Sequence, residues 1–165
     1  MTYTLRREQW VDRPIDEVFA FFADAHNLEE ITPPWLGFKI LSMSTNSISE
    51  GTMILYRLRL HGIPIHWRTR IREWNPPHCF VDEQTQGPYR QWRHTHRFEA
   101  HGNRTKMTDE VQYALPFGVI GRIAHALKVR GDVSLIFDHR RMQIDARFGR
   151  PEQVTAAGPR LPVRQ

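Results

Sequence analysis

From Phe38 to Leu115 polarity alternates along the chain with a period of two, and the alternation breaks only where turn-forming residues cluster: Asn46 to Gly51, His61-Gly62, Asn75-Pro76-Pro77, Gly87-Pro88 and Gly102-Asn103. The breaks divide this stretch into six strands. Successive side chains of a strand point to opposite faces, so the hairpin turns also fix which residues meet. A two-residue turn at Gly102-Asn103 sets His96 opposite Asp109 and Trp92 opposite Tyr113. A three-residue loop from Gly87 to Tyr89 sets Asp82 opposite His94 and Gln84 opposite Trp92, and a turn at His61-Gly62 sets Tyr56 opposite Trp67. All three registers send Arg57, Arg59, Arg68, Arg70, Arg72, Arg93 and Arg97 to the other face. Independent turns that agree on one facing are evidence for an antiparallel sheet with one dry side.

The dry side is unusual. Trp92, His94, His96 and Phe98 share it, whereas a solid core strand would carry Val, Ile and Leu. A buried imidazole needs a partner for each ring nitrogen, or a ligand that provides one, so this face predicts a lined cavity. Tyr56, Trp67, Trp92, Tyr113 and Phe98 supply apolar walls, and Asp82, Gln84, His94, His96 and Asp109 supply polar groups. The expected mouth comprises Gly87, Pro88, Tyr89, His61, Gly62, Pro116 and Phe117, with Phe117 also counted among the ligand contacts.

Outside the sheet region the pattern is helical. Thr2 to Val11 predicts an opening strand; Ile15, Val18, Phe19 and Phe22 recur at helical spacing after Pro14; Asp24 can cap a second short helix carrying Leu28 and Ile31. After Pro116 the chain turns helical to about Phe148, with Ile120, Ile123, Leu127, Val133, Ile136, Phe137, Ile144 and Phe148 as its apolar stripe and a bend expected at Gly131. Residues 1–150 predict one α+β domain, and 151–165 a disordered tail.

One strand, two short helices, six antiparallel strands and a long C-terminal helix is the order of the helix-grip fold. The segment Val11-Asp12-Arg13-Pro14-Ile15-Asp16-Glu17-Val18-Phe19 resembles the opening of START-like, or SRPBCC, proteins. Gly87-Pro88 with Trp92, His94, His96 and Phe98, followed by Tyr113-Ala114-Leu115-Pro116-Phe117-Gly118, is similar to the bacterial cyclase/dehydrase branch, related to coenzyme-Q-binding START proteins and pollen allergens. The resemblance implies a seven-stranded sheet curled around the long helix, and an internal cavity for a lipid, quinone or polyketide-like molecule. It carries over no catalytic residue.

Among chemical readings, His94-Thr95-His96 with Asp82 or Asp109 is the pattern of a strand-borne metal site. No Cys cluster or His-Glu-x-x-His accompanies it, so neither metal nor cofactor is expected. A His96–Asp109 pair could instead serve general acid/base work, as the cyclase/dehydratase analogy implies. Cys79 falls on the outward phase, and no Gly-x-Ser-x-Gly elbow supports a nucleophile. The net charge of +5 comes mainly from Arg, with only Lys39, Lys106 and Lys128 as lysines. A basic-surface adaptor is the third reading, but no exposed aromatics interleave the arginines, so nucleic acid is not an expected partner. No apolar run reaches the ~20 residues of a membrane span. The polar N-terminus and the single cysteine point to a cytoplasmic protein, with a hydrophobic small molecule as partner and the oligomeric state left open.

Overall fold

The computed structural model describes residues 1–149, and the tail expected at 151–165 lies outside the described residues. Strand β1 (Tyr3–Val11) leads into helices α1 (Ile15–Ala23) and α2 (Asn27–Ile31) and a 3-10 turn at Pro34–Leu36. Six strands follow: β2 (Lys39–Met43), β3 (Met53–Leu60), β4 (Ile63–Asn75), β5 (Cys79–Gln86), β6 (Gln91–His101) and β7 (Arg104–Ala114). Helix α3 (Gly118–Ala124), a π turn (His125–Val129) and helix α4 (Arg130–Phe148) complete the order. The seven strands form one antiparallel sheet in the order β1-β7-β6-β5-β4-β3-β2, the α+β helix-grip architecture. Among the described residues no helix is long and apolar enough to cross a membrane.

The turns set the register as their chemistry requires. His61 (φ 51°) and Gly62 (φ 83°) both take positive φ, as a type I′ hairpin demands, and Tyr56 pairs with Trp67. Gly102 (φ 61°) opens the β6–β7 hairpin, which pairs His101 with Arg104, His96 with Asp109 and Trp92 with Tyr113. Irregularities in β2 between Ile40 and Ser42, and in β4 at Arg68/Thr69 and Ile71/Glu73, bend the sheet and increase its twist.

The concave face is filled by three apolar clusters. Phe19, Phe22, Phe80, Phe98, Met107 and Ile144 belong to the first, under α1. Ile54, Tyr56, Leu58 and Trp67 belong to the second, and Val111, Tyr113, Val133 and Phe137 to the third. Polar contacts then hold α4 against β1. Gln9 Nε2 donates to the Arg141 carbonyl (3.0 Å) and Asp145 Oδ1 (2.7 Å), and Arg7 Nη2 donates to Ser134 Oγ (2.6 Å).

Two local expectations are corrected. Ile120, Ile123 and Leu127 do not continue the buried stripe of α4, being 72%, 55% and 81% exposed. The π turn is the reason: its wider turn shifts the helical phase, so the apolar face of α3 no longer lines up with Val133, Phe137 and Ile144. The irregularity thus precedes Gly131 instead of falling on it. Asp24 is not the N-cap of α2, which is His26; its carboxylate accepts from the His26 amide (2.9 Å) one step earlier.

Phe98 is 2% exposed, with the Phe19 and Phe22 rings each 5.4 Å away, so Phe98→Ala should cost about 3–5 kcal/mol. Urea denaturation checks this: a loss under about 1 kcal/mol would show that the sheet–α1 contact carries little of the stability.

Candidate functional site

A cavity of about 180 Å3 lies between the concave face of the sheet, α1–α2 and α4. The sheet builds its wall by alternation: Tyr56 on β3, Trp67 and Thr69 on β4, Phe80 and Asp82 on β5, Trp92, His94 and His96 on β6. The helices close it with Phe22, Phe137 and Arg140. At the tyrosine end one hydroxyl satisfies two polar tips. Trp67 Nε1 donates to Thr69 Oγ1 (3.1 Å), and the Tyr56 and Thr69 hydroxyls share a hydrogen bond of 2.9 Å. Burial keeps the Tyr56 phenol protonated, its pKa raised far above the ordinary range.

The other end holds the charges. Asp82, His94, His96, Asp109 and Arg140 converge from β5, β6, β7 and α4. The backbone register pairs Asp82 with His94 and His96 with Asp109, as the turns dictate. The hydrogen bonds run diagonally instead: His94 Nε2 donates to Asp109 Oδ1 (3.0 Å) and His96 Nε2 to Asp82 Oδ2 (2.9 Å). Direct contacts complete the box, His96 Nδ1–Asp109 Oδ1 at 3.0 Å and His94 Nδ1–Asp82 Oδ2 at 3.6 Å. Strand side chains lean along the strand, which lets each imidazole reach both carboxylates. The two rings lie 3.7 Å apart, and His96 also stacks on Phe80 at 3.9 Å.

Arg140 enters from α4, its Nη2 lying 3.3 Å from His96 Nδ1 and 3.8 Å from Asp109 Oδ1. Its guanidinium sits 5.1 Å from the Phe22 ring centre and 5.9 Å from that of Phe137. Burial raises the pKa of Asp109, but the Arg140 charge and hydrogen bonds from both histidines outweigh it and hold the carboxyl well below the usual range. Asp82 is likewise held down by its bond from His96 and the neighbouring imidazoles against the opposing effect of burial. Burial, then the charge of His96, lowers the pKa of His94 to about 4, so at neutral pH it is an uncharged imidazole.

Six of the expected contacts therefore line one cavity: Tyr56, Trp67, Asp82, Trp92, His94 and His96. Asp109 stands behind the imidazoles. Phe98 lies in the core beneath α1, and Tyr113 packs with Val111, Val133 and Phe137. Gln84 is turned to its own hairpin, where its amide donates to the Tyr89 carbonyl (2.6 Å) and accepts from the Tyr89 amide (3.3 Å). A Cβ at Gly87 would collide with that folded Gln84 side chain. Phe117 is 78% exposed and outside the cavity. Of the residues expected at the mouth only Tyr89 lines it; the lining residue open to solvent is Asp24, at the α1–α2 junction. Cys79 is buried and does not line the cavity, and burial raises its thiol pKa, which removes it as a nucleophile.

Sequence reasoning missed Thr69, Phe80 and Arg140. Arg140 had a signal: with Val133, Phe137 and Ile144 it repeats at spacings of four, three and four, a cation on the apolar face of a helix. Asp82, His94 and His96 each offer a ligand atom within 4.8 Å of the others. The Arg140 guanidinium lies 3.3 Å from His96 Nδ1, and a positive charge beside the donor set suits a dication poorly.

The model of the family described as polyketide cyclase/dehydrase and lipid transport matches residues 11–130. The chain belongs to that family. Its fold is shared with the ginseng (Panax ginseng) major latex-like protein 151 (12% identity, TM-score 0.67, 90% of this chain and 98% of that one). It is also shared with a START superfamily protein from Mycobacterium smegmatis (11%, TM-score 0.66, 88% and 96%) and with a Thalictrum norcoclaurine synthase variant solved with a transition-state analogue (13%, TM-score 0.63, 89% and 96%). Comparison with curated proteins returns no significant match. At the level of the superfamily, this family membership goes with the binding of hydrophobic ligands.

A histidine whose pKa drops from 6.5 to about 4 on folding takes up a proton more readily in the unfolded chain. Its stability contribution is complete above pH 6.5 and is lost as pH falls towards 4, a difference of about 3 kcal/mol. Urea denaturation at several values between pH 7 and pH 4 should show this slope and should show it flattened in His94→Asn. Equal slopes in the two proteins would mean that His94 does not titrate as a buried neutral group.

Proposed function

We propose that this protein binds, without covalent chemistry, a small aromatic or polyketide-like molecule in the cavity, with its ring system against Tyr56, Trp67 and Trp92 and its polar end towards Asp82, His94 and His96. The observation that carries the proposal is the cavity's two-ended character: an aromatic wall in which Thr69 already satisfies the Tyr56 and Trp67 tips, and one charged corner facing α4. Its volume favours a ligand of one or two rings over a full lipid tail, since a cavity of about 150 Å3 is enough for benzene. Asp109 holds the imidazoles in place from behind the cavity wall, and Arg140 holds His96 from α4.

A second reading, cyclase/dehydratase-like proton transfer, is supported by a neutral His94 facing the cavity beside a carboxylate. The two readings separate kinetically. Mass spectrometry of material extracted from the gently purified protein supplies the ligand. His96→Phe should then weaken its binding by about 1–3 kcal/mol in titration calorimetry while leaving the protein folded. Unchanged affinity would reduce His96 to a packing residue. Turnover that collapses in His94→Asn while binding persists would establish the enzymatic reading instead.

A further inference from the structure

The charged corner leaves acceptors without donors at its Asp82–His94 wall, and one donor, the buried Arg140 Nε–H, without an acceptor. The His94 Nε2–H is used by Asp109 and the His96 Nε2–H by Asp82. The remaining nitrogen of His96, Nδ1, is taken up by Asp109 Oδ1 at 3.0 Å and Arg140 Nη2 at 3.3 Å. The remaining nitrogen of His94, Nδ1, then presents a lone pair, and the polar atom it meets, Asp82 Oδ2 at 3.6 Å, is itself an acceptor. Asp82 Oδ1 also has no donor among the described residues. Both residues line the cavity, so two unserved acceptors stand side by side at its wall.

Ionisation bears on the same wall. Asp82 and Asp109 are both held in the ionised form, so their oxygens accept and do not donate. Because burial and the charge of His96 bring His94 down to about 4, His94 Nδ1 stays an acceptor at neutral pH.

We infer that the molecule held here carries a hydrogen-bond donor at its polar end, either a hydroxyl that donates to Asp82 Oδ1 or a protonated amine that donates to both Asp82 Oδ1 and His94 Nδ1. The inference rests on the binding function proposed above and goes further by naming the head-group chemistry. A carboxylate head is disfavoured because at this wall it would face the ionised Asp82 carboxylate, while Arg140 Nη2 is already placed against Asp109 and His96. An ether head fits the space but has no proton to give. Asp82 and His94 are accordingly specificity-determining residues, while Asp109 is a positioning residue that acts through the imidazoles.

The test uses four two-ring probes that differ in one group: 2-naphthol, 2-naphthylmethylamine, 2-methoxynaphthalene and 2-naphthoate, each titrated calorimetrically into the full chain at pH 7. The hydroxyl and amine probes should bind at least about tenfold more tightly than the ether and the carboxylate. In Asp82→Asn that gap should shrink to below about threefold, and His94→Phe provides the same comparison if the first variant does not fold. Four equal affinities would overturn the donor inference and leave the hydrophobic-binding function standing. Tightest binding of 2-naphthoate would overturn it in favour of an anion site on Arg140. No measurable binding of any probe would remove both the inference and the function on which it rests.

Discussion

Two carboxylates, two imidazoles and a guanidinium share a dry space at the centre of the sheet, and the rest of the structure is arranged around keeping them paired. Each costs several kcal/mol to bury alone, and each is tolerable because the others are within hydrogen-bond reach. The cluster draws one residue from β5, two from β6, one from β7 and one from α4, so it ties the sheet to the helix that covers it. Its strength is also its vulnerability: removing one partner leaves a buried charge uncompensated, which is typically worse than having built the site from apolar residues.

Around this cluster the apolar core is divided, not continuous. The α1 side is packed solid with phenylalanine rings, the α4 side with Val111, Val133 and Phe137, and the space between them is the cavity. Aromatic walls suit that role because rings provide large contact areas with few rotatable bonds, and their polar tips can be satisfied within the wall, as Thr69 does for Tyr56 and Trp67. The ligand space is therefore held open by stiff groups and oriented by a few charged ones, the usual division of labour in a small-molecule site.

The sheet and the facing of its residues were legible in the amino-acid sequence, and much of the site with them. The turns at His61-Gly62 and Gly102-Asn103 fix the register by local backbone conformation, and alternation then places Tyr56, Trp67, Trp92, His94 and His96 on one face. Alternation cannot tell depth along that face. Phe98 and Tyr113 share the phase of the cavity residues yet lie in solid core, because α1 and α4 reach them and leave the middle uncovered. Gln84 was lost to the site through a contact five residues away, its hydrogen bonds to Tyr89.

What the sequence determined by itself is what short-range rules govern: strand count, register, and the presence of two histidines and two aspartates on the dry side of the sheet. The tertiary structure decided the chemistry among them. Register pairs His96 with Asp109, but hydrogen bonding crosses over to Asp82, and Arg140 arrives from a helix 31 positions beyond Asp109 in the chain. Which nitrogen is left without a donor depends on angles and distances of a few tenths of an ångström, set by how α4 packs across the sheet. That packing is a long-range property, and no local pattern of residues encodes it.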